Sequence, residues 1–267
     1  MIKLICSDID GTLLNAEREL SDKTISEIHK LRNKLPIVLI SSRMPSAMRH
    51  LQKQLGILNQ PLVAYNGGLI SVDNTIKHST TIPFELVRKI VGLNRKGLHL
   101  SLFNADDWFA PQADRWTSRE INNTKVNPIL KTNEDVLELW KTNKTGAHKI
   151  MCMGEAEHVS EFYDELAHAF PEDLHLYRSK ETYIEIAPRQ ISKKSAIEFL
   201  IASEFDFDLS EVMSFGDNHN DIEMLEACGL GLAVGNAKDE AKRAADEVIG
   251  HAKEDGVAKF MLRYFKM

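Results

Sequence analysis

Short apolar runs alternate with stretches of helical period along most of the chain. "KLICS" reads as a short buried strand, and "SDKTISEIHKLRNK" as an amphipathic helix capped by Ser21 or Asp22. "PIVLISS" predicts a second strand, and "PSAMRHLQKQLG" a helix with Pro45 in its first turn and Gly56 at its end. "PLVAY" predicts a third strand, stopped by Asn66-Gly67-Gly68. The alternation returns near the C-terminus: helix "SKKSAIEFLIASEF", strand "EVMSFGD", helix "NDIEMLEACG", strand "LGLAVG", helix "AKDEAKRAADEVI". Such a pattern implies a parallel sheet covered on both faces, the α/β class.

The middle, from Phe84 to Ala187, has a different rhythm. "FELVRKIVGLNRKG" and "EDVLELWKTN" read as helices, and "LHLSLFN" and "DDWFAP" as hairpin strands. Strand "HKIMCMG", helix "EAEHVSEFYDELAHAF" and paired strands "LHLYRS" and "TYIEIA" follow. This is mixed α+β, inserted between two halves of the α/β domain. The expected division is 1–83 with 188–267, and an inserted domain over 84–187.

Composition narrows the function. The chain has 267 residues, 43% hydrophobic and 27% charged, within the range of soluble globular proteins. A formal net charge of -6 without basic clustering argues against a nucleic-acid partner. Nothing approaches the ~20 apolar residues of a membrane span, and the start lacks the apolar core of a secretory leader. Cys6, Cys152 and Cys228 lie far apart, the first two in apolar runs where a buried thiol is expected. A cytoplasmic location, with no membrane partner, is the expectation; the oligomeric state stays open.

Candidate chemistry gathers at strand ends. In "DIDGT", Asp8 and Asp10 are two apart, so both can face one site while Ile9 faces the core. They fall where the ligand crevice of an open α/β sheet lies. One such Asp reads as a turn or cap; a pair followed by Gly11 and Thr12 needs a compensating charge. "GDNHND" places Asp217, Asn220 and Asp221 after another strand, and such oxygen donors suit Mg²⁺. Ser41, Ser42 and Arg43 follow strand "PIVLI", and Lys193 stands at a helix start where amides and a cation can meet an anion. Taken singly, Ser41 reads equally as a boundary serine and Lys193 as a solvated lysine. Together the clusters point to metal-assisted phosphoryl chemistry.

"DIDGTLL", Ser41, Lys193 and "GDNHND" occur in the order of the four motifs of the haloacid dehalogenase superfamily of phosphotransferases. With "AYNGGLI", "YIEIAP", "GLAVGNAKDEAKRAADEVI" and "EDGVAKF", the chain resembles most its Cof-type sugar-phosphatase branch. The resemblance implies a Rossmann-like, doubly wound core with a large α/β cap inserted after the third strand. It implies a small phosphorylated substrate, Asp8 as nucleophile, and Asp10 as general acid and then base. Mg²⁺ is then held by Asp8, the Asp10 carbonyl and Asp217, and phosphate by Ser41, the Ser42 backbone, Lys193 and Asn220. Asp221 is expected to orient Lys193 or support the metal, and repulsion from Asp8 to raise the Asp10 pKa.

Two departures stand out: Ser41-Ser42-Arg43 replaces the usual Thr-Gly-Arg, and the lysine lacks its flanking glycines. Ser42 bears on the phosphate contact if that position needs φ > 0. The glycines of "GLGLAVG" bracket a strand, so they read as turn residues and not as a dinucleotide fingerprint. The expected function is a Mg²⁺-dependent phosphatase of small phosphomonoesters, sugar phosphates first. A phosphosugar mutase and a non-catalytic phosphosugar sensor are the alternatives.

Overall fold

The computed structural model describes residues 1–265, which form two compact units: 1–77 with 192–265, and 78–191. In chain order, the first unit opens with β1 (Leu4–Ser7), α1 (Asp22–Leu31), β2 (Ile37–Ile40) and α2 (Ser46–Leu55). Strands β3 (Leu62–Ala64), β4 (Leu69–Val72) and β5 (Thr75–Ser79) follow. Ser21 caps α1 by accepting from the Thr24 amide, and Gly56 closes α2 in the left-handed conformation.

The second unit contains α3 (Phe84–Leu93), β6 (His99–Asn104), β7 (Asp107–Ala110), α4 (Arg115–Thr124) and β8 (Ile129–Leu130). It continues with α5 (Asn133–Asn143), β9 (Lys149–Met153), α6 (Ala156–Ala169), β10 (Leu174–Lys180) and β11 (Tyr183–Pro188). The chain returns to the first unit through α7 (Lys193–Glu204), β12 (Val212–Gly216), α8 (Ile222–Ala227) and β13 (Leu230–Ala233). It ends with α9 (Asp239–Ala244), β14 (Glu247–Val248) and α10 (Gly256–Tyr264).

The sheet of the first unit runs β14-β13-β12-β1-β2-β3-β4-β5. Neighbours from β14 to β3 are parallel, and β4 then pairs antiparallel with β3. Leu4 and Cys6 of β1 and Val38 and Ile40 of β2 pack with Ala196, Ile197 and Leu200 of α7 and Met224 of α8. The alternate residues Ile5, Ile37 and Leu39 are buried too, as expected of central strands covered on both sides. β1 is the middle of the trio β12-β1-β2, and the chain leaves it toward β2 and returns beside it as β12. That reversal is the topological switch point of an open sheet, where the carboxyl ends part and leave a crevice.

The second unit is a sheet of order β10-β11-β9-β6-β7-β8, antiparallel apart from the β7–β8 pair. Leu100, Leu102, Ile150, Cys152, Ile184 and Ile186 form one face of it. Helices α3, α5 and α6 cover that face with Val87, Ile90, Val136, Trp140, Val159, Phe162 and Leu166. The three cysteines are buried free thiols.

Some elements depart from the sequence pattern. Segment 115–124, to which the sequence pattern assigns no element, is helix α4: its cap Asp114 accepts from the Trp116 and Thr117 amides, and the buried face is Thr117, Glu120 and Thr124. A polar buried face has no hydrophobic period to detect. Beyond the stop at Asn66 the chain reverses and adds β4 and β5 to the sheet, with a turn at Asp73 and Asn74, both with positive φ.

Candidate active site

Each cluster of the site sits one residue beyond a strand or at a helix start. Asp8 follows β1, Ser41 follows β2, Asp217 follows β12 and Lys193 opens α7. Ser192 caps α7 with its side chain, which fixes the first turn and the direction of Lys193. Lys193 is almost wholly buried, and its Nζ donates to Asp8 Oδ1 at 2.5 Å and to Asp221 Oδ1 at 2.6 Å. Lys194, its neighbour, pairs with Glu198 on the surface at 3.0 Å. Of the two adjacent lysines, Lys193 therefore meets the carboxylate cluster and Lys194 the surface.

Asp221 is fully consumed. Its Oδ1 takes Lys193, and its Oδ2 accepts from the Asp217 and Asn218 amides at 2.8 and 2.9 Å. Asp217 accepts from Thr12 Oγ1 at 3.2 Å. Between them passes Gly11, with φ +87°, and a Cβ there would stand 2.4 Å from Asp217 Oδ2. The paired-carboxylate loop therefore closes on Asp217 only because position 11 is glycine.

Carboxylate oxygens of Asp8, Asp217 and Asp221 lie within 4.8 Å of one another. Three carboxylates face one ammonium, so with all three ionised two negative charges would be uncompensated. Burial raises the Asp8 pKa well above the carboxylate range, Lys193 pulls it back, and Asp221 and Asp217 add to the rise. Asp217 is pushed up to about 6 by burial and by the Asp221 charge. Burial works against the Lys193 charge, but Asp221 and Asp8 overcome it and hold the ammonium protonated. A hard divalent cation fits this donor set in charge and in ligand type. Asp8 and Asp217 have oxygens left to hold it, whereas those of Asp221 are committed.

Asp10 belongs to a different arrangement. Arg43 grips it with two bonds, Nε to Oδ2 at 2.6 Å and an Nη to Oδ1 at 2.8 Å, and Arg18 adds a third at 3.2 Å. The expectation that Asp8 would raise the Asp10 pKa is overturned. Burial does push it up, but the Arg43 fork and the Arg18 charge outweigh that and hold it below the ordinary value. The guanidinium of Arg43 is itself buried and also donates to the Ala47 carbonyl at 3.2 Å.

Ser41 is buried at the end of β2, where its Oγ accepts from the Arg43 amide at 3.3 Å. Ser42 does not take a positive φ, so serine in place of glycine costs this loop no strain. Asn220 lies on the short 3-10 turn His219–Asp221 and donates through Nδ2 to Asn66 Oδ1 at 3.1 Å. Asn66 was read from the sequence only as a strand stop. Asn236 also escaped: it donates to the Gly11 carbonyl at 2.7 Å and accepts from the Ala252 amide at 2.9 Å, tying the Asp8 loop to the C-terminal segment.

The second unit holds a polar chain of its own. Asp114 Oδ2 accepts from His99 Nδ1 at 2.9 Å, so His99 Nε2 accepts from Ser101 Oγ at 2.9 Å. The order Ser–His–Asp is that of a hydrolase triad. Ser101 is wholly buried, however, and its oxygen also accepts the Trp108 indole N–H at 3.0 Å. No substrate reaches it, and the chain anchors the start of α4. Trp108 is 1% exposed and stacks on Phe103 with ring centroids 5.7 Å apart, so its ring is core and offers no face to a ligand. The glycines of "GLGLAVG" are packing residues: a Cβ at Gly229 or Gly231 would meet backbone carbonyls at 1.9 and 2.1 Å.

Comparison with known proteins places the chain in a family. The profile of the haloacid dehalogenase-like hydrolases matches residues 5–261, and the chain belongs to that family. A Haemophilus influenzae protein with a provisional phosphatase name is 32% identical over 272 residues, covering 99% of both chains. The 5-amino-6-(5-phospho-D-ribitylamino)uracil phosphatase of Bacillus subtilis is 28% identical over 99% of this chain and 98% of its own. A haloacid dehalogenase-like hydrolase from Bacteroides thetaiotaomicron superposes with a TM-score of 0.90 at 26% identity, covering 99% of this chain and 100% of that one. The protein is a hydrolase of the phosphatase class. Among the described residues no helix is long and apolar enough to cross a membrane.

Proposed function

We propose that this phosphatase hydrolyses small phosphomonoesters, sugar and polyol phosphates first, by transferring the phosphoryl group to Asp8. The observation that carries the reading is the half-committed Asp8 carboxylate: Oδ1 is fixed by Lys193, which aims Oδ2 as a nucleophile. The sugar or polyol preference draws on the Bacillus subtilis relative, whose named substrate carries its phosphate on a ribityl chain.

A phosphate dianion approaching three carboxylates meets repulsion that Lys193 alone does not cancel. Asp8 and Asp217, with the Asp10 carbonyl, would hold Mg²⁺, and when bound it would supply positive charge and polarise the transferring group. Lys193, Asn220, the Ser41 hydroxyl and the Ser42 amide bind the equatorial oxygens. Asp8 Oδ2 forms the new bond to phosphorus as the ester oxygen leaves, taking a proton from Asp10. Asp10 then removes a proton from the water that attacks the aspartyl-phosphate, and phosphate departs with Asp8 restored. Clamped by Arg43 and Arg18, Asp10 rests in the ionised form that the second step needs. The negative charge of the bound phosphate raises its proton affinity, so that Asp10 takes up from solvent the proton it hands to the leaving oxygen.

Phosphate release from a panel of sugar phosphates, polyol phosphates and nucleotides, with Mg²⁺ and with chelator, tests this. The expected result is Mg²⁺-dependent turnover that Asp8→Asn abolishes and a panel led by sugar and polyol phosphates. Transfer between two positions of one sugar without net release would mean a mutase. Tight binding without turnover would mean a sensor.

A further inference from the structure

The turn Tyr65-Asn66-Gly67 has positive φ at three successive residues, +53°, +56° and +107°, and all three are buried. Left-handed backbone at a non-glycine pair persists only where surroundings impose it, and such outliers cluster at functional sites. Here the surroundings are three of the four strand-end loops. The Tyr65 amide donates to the Arg43 carbonyl at 3.0 Å, and the Asn66 amide to the Ser41 carbonyl at 2.8 Å, so the turn grips the serine loop by its backbone. Gly67 presses on the cap of α7: a Cβ would stand 2.7 Å from the Ser192 carbonyl, next to Lys193. The Asn66 side chain accepts from Asn220 Nδ2 at 3.1 Å, which reaches the loop of Asp217.

We infer that Asn66 is a positioning residue that sets the phosphate-binding groups of this site, acting through Asn220 and the Ser41 loop. The Asn220 amide nitrogen carries two hydrogens. Committing one to Asn66 fixes the amide plane and leaves the other for the anion. Asparagine suits the position because it tolerates left-handed backbone and still offers an acceptor oxygen. Asn66 takes no part in bond making, and the inference rests on the phosphatase reading above.

The test is a double-mutant cycle of Asn66→Gly and Asn220→Ala. Glycine accepts the same φ without strain, so the backbone grip on the serine loop stays while the amide is lost. Inorganic phosphate affinity in Mg²⁺ is read by calorimetry, kcat and KM on a sugar phosphate by assay, and folding by thermal melts. We expect each single variant to bind phosphate about 10- to 100-fold more weakly, the size of one hydrogen bond to a charged group, and to raise KM more than it lowers kcat. The double variant should be no worse than the weaker single. Losses that multiply, or wild-type phosphate affinity in Asn66→Gly, would overturn the role. If the glycine variant does not fold, Asn66→Ser, also lacking the amide, takes its place in the cycle. Wild type that binds phosphate with the coupling intact but turns over no ester would count against the phosphatase reading alone.

Discussion

Two buried polar clusters, one in each unit, are built from similar parts and end in opposite conditions. In the second unit Asp114, His99, Ser101 and Trp108 hand one hydrogen bond to the next until no donor or acceptor in the chain is spare. In the first unit Asp8, Asp217 and Asp221 surround Lys193 with two negative charges in excess and with carboxylate oxygens still open. Residue type would favour the former as a hydrolase centre, since it holds a serine, a histidine and an aspartate in the right order. What marks the latter as a site is unspent capacity: charge and lone pairs that folding alone does not satisfy. The closed cluster is satisfied by folding alone, whereas the open one is where the proposed phosphate chemistry is placed.

The comparison breaks most sharply at Lys193. Lys193→Met leaves the buried Asp8 and Asp221 carboxylates, beside the half-buried Asp217, with no cation, and should cost about 3–5 kcal/mol in urea unfolding at pH 7 without metal. Mg²⁺ should recover part of that loss, because it neutralises the same charges. A variant as stable as wild type in chelator would mean that the cluster is not charge-starved.

A smaller effect is expected from His148 in the second unit. The Ala105 amide donates to its Nδ1 at 3.1 Å, so its proton sits on Nε2, 3.0 Å from Ser79 Oγ. Burial lowers its pKa to about 4, and protonation would also place a proton where the Ala105 amide already points. The folded value lies below that of the unfolded chain, so the unfolded chain takes up the proton first. Stability should hold above about pH 6.5 and fall by up to about 3 kcal/mol as pH drops toward 4. Urea midpoints over that range check it; His148→Gln should lose this part of the slope, and an unchanged slope would refute the assignment.

Smaller again is Ser101→Ala, which strands the Trp108 N–H and the His99 acceptor at a cost of about 1–3 kcal/mol. Phosphate release by the folded variant should match wild type. A large loss of turnover would make the triad-like chain more than scaffolding.

Much of this could be read from the residues because the first unit is patterned by burial. Central parallel strands must be apolar on both faces, so "LICS", "IVLI" and "VMSFG" announce themselves, and the polar residues just after them mark the crevice. What stayed hidden depends on polar burial or on backbone geometry. Helix α4 buries Thr117, Glu120 and Thr124, which look like solvent residues in one dimension. Asn66 looks like any turn asparagine until its φ and its Asn220 contact are known. The arginine clamp on Asp10 joins positions 10, 18 and 43, and no local spacing encodes which carboxylate a distant arginine will find.

The central claim is that the open oxygen of Asp8 becomes the phosphoryl carrier. Rapid acid quench during turnover of a labelled sugar phosphate with Mg²⁺, followed by peptide mass analysis, tests it directly. Wild type should carry a phosphoryl group on the peptide holding Asp8, and Asp8→Asn should carry none. Phosphate released at full rate with no protein-bound phosphoryl at any time, or a labelled Asp8→Asn enzyme, would contradict it.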